Sequence, residues 1–65
     1  MKKWVELNSE QGFPVAVDPS RVEAVAAAED GGSRVRLASG GILQINDTHE
    51  EVLELLGVRV ERGGE

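Results

Sequence analysis

The chain has 65 residues, with twelve acidic and seven basic side chains, one Trp, one Phe and no Cys. That length supports a single domain over residues 1–65, with a core near the lower limit of self-sufficiency, and no disulfide or thiolate zinc site can staple it. The net charge of −5 and the scarcity of aromatic rings disfavour nucleic-acid binding, because phosphates are repelled and bases find no stacking platform.

The amino end, Met1-Lys2-Lys3-Trp4, is basic, but Glu6, Asn8, Ser9 and Glu10 follow at once where a signal peptide needs an apolar run. No stretch of eighteen apolar residues occurs, so no membrane role is expected and the expected location is cytoplasmic. Lys3 to Asn8 alternates, with Val5 and Leu7 on one side and Trp4, Glu6 and Asn8 on the other. After a turn at Ser9-Glu10-Gln11-Gly12, the residues Phe13, Val15 and Val17 recur at the same period, which predicts a first hairpin. Pro14 cannot donate to a ladder, so its strand is expected at an edge or just beyond the proline.

Asp18-Pro19-Ser20 then predicts a turn. Val22 to Ala28 reads two ways. Its alanines favour a helical turn, whereas its short length and the hairpin signal Asp30-Gly31-Gly32 favour a strand, placed here at Ala24 to Glu29. Val35 and Leu37 alternate with Arg34 and Arg36, and Leu43 and Ile45 alternate with Gln44 across Ser39-Gly40-Gly41, predicting a second hairpin.

Thr48-His49-Glu50-Glu51 is a capping box opening a helix whose apolar residues are Val52, Leu53, Leu55 and Leu56. Gly57 stands where a left-handed cap belongs, and Val58 to Glu61 alternates as a short final strand before a loose tail from about residue 62. The expected fold is mainly β within the α+β class, a small antiparallel sheet or half-open barrel of about five strands with one C-terminal helix.

No pattern points to catalysis or to a cofactor. His49 with Asp47, Glu50 and Glu51 lacks the second histidine of a zinc helix, and these acids already serve the helix N-terminus, so no metal is expected. The glycine pairs join strand to strand, unlike a phosphate loop, and Ser39 has no nucleophile-elbow spacing. The chain is therefore expected not to be an enzyme. Arg34 and Arg36 project from one strand face and can clamp an anion between planar guanidinium groups; the plainer reading pairs them with Glu29 or Glu6 across the sheet. Trp4 lies opposite Val5 and Leu7 on its strand. It is either a partner-binding residue outside the core, or buried because another register makes it core or the helix covers that second face.

The succession Val5-Glu6-Leu7, Gly12-Phe13-Pro14-Val15-Ala16-Val17, Asp18-Pro19-Ser20-Arg21-Val22-Glu23-Ala24-Val25, Val35-Arg36-Leu37 with Gly41, and Glu50-Glu51-Val52 resembles the small flagellar FlbD family, which includes swarming-motility proteins. The likeness covers almost the whole chain in order. It implies a non-enzymatic cytoplasmic accessory protein of bacterial or phage origin, linked to flagellar function, with no catalytic residues to carry over. Two functions are weighed. One is a homo-oligomeric interaction module that binds a protein partner through Trp4 and its strand edges. The other is a small-ligand binder that sequesters an anionic metabolite or nucleotide between Arg34 and Arg36, of the kind phages encode.

Overall fold

Three hairpin loops of one design shape the molecule, whose computed structural model describes residues 3–59 and 61. In each loop a strand-ending residue donates its N–H to the carbonyl four residues on, while the N–H of a glycine three residues on returns to its own carbonyl. The sets are Ser9, Gly12 and Phe13; Ala28, Gly31 and Gly32; and Leu37, Gly40 and Gly41, with distances of 2.8–3.2 Å. The returning glycines have φ of 92°, 93° and 99°, the left-handed step that follows a type I turn in a three-residue hairpin loop.

These loops and one 3₁₀ turn at Pro19–Arg21 connect β1 (Val5–Asn8), β2 (Pro14–Val17), β3 (Val22–Ala27), β4 (Ser33–Leu37) and β5 (Ile42–Ile45), and α1 (His49–Leu56) follows. All pairings are antiparallel, in a two-stranded sheet β1-β2 and a three-stranded sheet β3-β4-β5. The sheets are stitched where β1 ends. Asn46 donates to the Asn8 carbonyl at 2.7 Å, Glu10 donates to the Gln44 carbonyl at 2.9 Å, and Ser9 faces Ile45. The strands therefore follow one another as β2-β1-β5-β4-β3, and the array does not close into a barrel.

The mainly β fold with a terminal helix matches expectation, and Pro14 indeed opens an outer strand. Three details differ. The third strand is Val22–Ala27, two residues earlier than Ala24 to Glu29, because Val22 pairs with Leu37 directly after the 3₁₀ turn and Ala28 already belongs to the loop. Long-range pairing with β4 overrides the helix propensity of its alanines. Of the expected final strand, Val58, Arg59 and Glu61 adopt no strand structure, and Val60 lies outside the described residues, as does the tail from residue 62. Leu55 is 48% exposed, at the solvent flank of a stripe made by Val52 and Leu56.

The core comprises Val5, Leu7, Val17, Val35 and Ile45 from the strands, with Val52 and Leu56 from α1. Register explains the set: Val5 faces Val17, Leu7 faces Val15, and Val35 lies between Val25 and Leu43, so all point to one side. The capping box is formed, with the Glu51 N–H on Thr48 Oγ1 at 3.2 Å and the Thr48 N–H on Glu51 Oε1 at 3.0 Å. Gly57, at φ 73°, closes the helix with its N–H on the Glu54 and Leu53 carbonyls. Buried Ser33 donates to the Asp47 carbonyl at 2.9 Å, tying the sheet to the turn before α1.

Candidate interaction site

An eight-residue helix is about 12 Å long, whereas five strands span about 19 Å. Consequently α1, packed mainly on β1, β3 and β4, cannot cover the whole apolar side of the strands. Val15 on β2, Leu37 at the end of β4 and Leu43 on β5 point to the core side yet remain half-buried. Between them opens a groove of about 390 Å³, with Trp4 on its wall and Asp18 and Arg21 on its rim. A second depression, about 300 Å³, shares Val15 and Leu43 and adds Phe13 and Ile42.

Each of the chain's two aromatic residues thus lines one of these adjoining depressions, Trp4 (56% exposed) the first and Phe13 (68% exposed) the second. Trp4 lies outside the core and is not covered by the helix. Phe13 escaped sequence reasoning because its alternation with Val15 and Val17 places it on the core side. Its position before β2, beyond the reach of α1, is what leaves it in solvent. The visible clue was that only two aromatic residues exist and both flank strands of the first hairpin.

Arg34 and Arg36 share the outer face of β4, as expected, opposite Ala26 and Ala24 of β3 and Gln44 and Ile42 of β5. Their acidic surroundings match expectation for Arg34 and differ for Arg36. Arg36 Nε meets Glu23 Oε1 at 3.3 Å, where Glu29 or Glu6 was anticipated. The register shift between Val22 and Ala24 makes Glu23 the extra residue of a bulge, which re-aims its side chain toward Arg36. Arg34 borders a depression with Glu29, as anticipated, and with Glu10 and Asp30. Three carboxylates around one guanidinium lower the local potential and work against an anionic ligand.

His49 begins α1, and among the described residues no group of three or more metal-capable side chains converges. No helix among them is long and apolar enough to cross a membrane. Comparison of the chain with protein-family models, curated proteins and solved structures finds no match.

Proposed function

We propose that the chain is a small non-enzymatic accessory protein that acts as a homo-oligomer and binds a protein partner at the mouth beside Trp4. The observation that carries this reading is the apolar groove left uncovered by a short helix, with exposed Trp4 on its wall and exposed Phe13 in the depression that adjoins it. Aromatic residues around a desolvatable pocket are the usual anchors of protein–protein recognition, and an exposed apolar opening costs free energy while it faces water. The resemblance to the FlbD family points to a partner in the flagellar apparatus.

The test is affinity capture from the source cell with the wild-type chain and with Trp4→Ala, after circular dichroism has shown equal folding. A flagellar protein retained by the wild type and lost with the variant supports the reading. Identical captured proteins from both baits overturn the role of Trp4, and a retained partner outside the flagellar apparatus overturns the flagellar assignment.

A further inference from the structure

The two outer strands differ in how they present their backbone. In β2, the bond from Ser9 N–H to the Phe13 carbonyl sets the alternation that turns Val15 and Val17 toward β1 and leaves Pro14 and Ala16 facing outward. Pro14 has no N–H, so that edge is blocked where it begins. In β3, the bond from Ala28 N–H to the Gly32 carbonyl turns Ala24 and Ala26 toward β4 and leaves the N–H and C=O of Val25 and Ala27 pointing away. Its sole strand neighbour among the described residues is β4; the Val22 N–H is spent on the Pro19 carbonyl of the 3₁₀ turn, so the open part of the edge is Val25 and Ala27.

This six-residue edge carries none of the usual protections against pairing: no proline, no lysine, and one charge, Glu23, already held by Arg36. Along Val22–Ala27 itself two such edges meet without a bare charge, although a two-fold at Ala26 sets Glu23, held by Arg36, opposite Glu29 of the other copy. On the core side, half-buried Val25 and exposed Ala27 require an apolar strip beside them, and on the outer side Ala24 and Ala26 leave room for a close backbone. A second copy of β3 brings an open edge of equal length and the same strip.

We infer that two copies join antiparallel through β3 about a two-fold axis at Ala26, an interface that rests on the self-association proposed above. In that register Val25 of each copy lies opposite Ala27 of the other, and each of these two pairs exchanges both main-chain hydrogen bonds. The pairing is isologous and closes at two, whereas β3 on the β2 of another copy would propagate and is opposed by Pro14. The groove beside Trp4 runs from β2 to Arg21 and Leu37 at the Val22 end of β3, and includes none of the Val25–Ala27 segment that pairs.

Because the chain has no cysteine, single substitutions report the register cleanly. Ala26→Cys places two thiols on directly opposed residues with Cα atoms about 4.5 Å apart, within disulfide reach, whereas Ala24→Cys puts them four residues out of step. Mild oxidation is expected to convert most of Ala26→Cys, and little of Ala24→Cys, into a disulfide-linked dimer. Ala27→Pro removes only an outward N–H, so its circular dichroism is expected to persist while its mass in sedimentation equilibrium falls by half. A wild-type dimer that survives Ala27→Pro, or an Ala26→Cys dimer that does not cross-link, overturns this interface and leaves self-association standing. A wild-type chain sedimenting as a single copy overturns both and returns the edge to a strand from another protein.

Discussion

The Asp47 carboxylate takes two hydrogen bonds from Asn8, from its backbone N–H at 2.9 Å and from its side-chain amide at 3.1 Å. Asn8 is where β1 turns its backbone toward β5, and β5 has ended by then, so Asp47 supplies the acceptor that the missing strand residue would have offered. The same residue's carbonyl accepts from buried Ser33. Asp47→Ala is expected to cost about 1 kcal/mol, since it removes two solvent-exposed hydrogen bonds at the seam between the two sheets. Chemical denaturation checks this. Asp47→Asn, which keeps one acceptor oxygen, should lose less.

Adjacent glycines in one loop have different jobs. A Cβ at Gly32 would overlap the Ile45 carbonyl oxygen, a backbone atom of β5 that cannot yield without disturbing the Ser33–Ile45 pairing. Gly32→Ala should therefore destabilise by about 1–3 kcal/mol through overpacking. Gly31 has open space where its Cβ would go but φ of 93°, so Gly31→Ala should cost about 1–2 kcal/mol through backbone strain alone. Thermal melts separate the two if Gly31→Asn, whose side chain tolerates the left-handed region, recovers most of the loss and Gly32→Asn does not.

The helix depends on its first turn. Thr48→Ala removes the acceptor for the Glu51 N–H and is expected to cost about 0.5–2 kcal/mol. Because α1 supplies Val52 and Leu56 to a seven-residue core, the loss should appear as a lower melting temperature of the whole domain rather than as local fraying. Two-dimensional NMR would reveal whether the strands persist after the helix has melted, which would contradict that coupling.

Arg36 and Glu23 are both more than half exposed, so a double-mutant cycle between them should return no more than about 1 kcal/mol. Nucleotides and other phosphates are expected to leave the melting temperature unchanged, given the carboxylates beside Arg34 and the Glu23 partner of Arg36. An anion that raises it by several degrees, with the rise lost in Arg34→Glu, would establish ligand sequestration instead.

Much of this architecture is written in short-range signals. Period-two alternation located four of the five strands, and Thr48 with Glu51 located the helix start to the residue, because both signals act within a few positions. β3 was harder to place, since Ala24 to Ala28 carries local helix propensity and only pairing with β4 settles its state. The Glu23–Arg36 pair was hidden for a related reason. A bulge shifts the register by one residue, and no local pattern at Val22-Glu23-Ala24 announces it. The open mouth follows from the length of α1 relative to the sheet, a comparison available only once the strands are assembled. Trp4 was visible as an off-face residue, whereas Phe13 was masked by correct alternation in a place the helix does not reach.

Sedimentation equilibrium of the wild-type chain across micromolar concentrations bears most directly on the idea that this small domain works by association. The expected result is a mass twice that of the 7.0 kDa chain, unchanged by Trp4→Ala. A mass of one chain throughout the series, with a sharp and reversible melt, would contradict it.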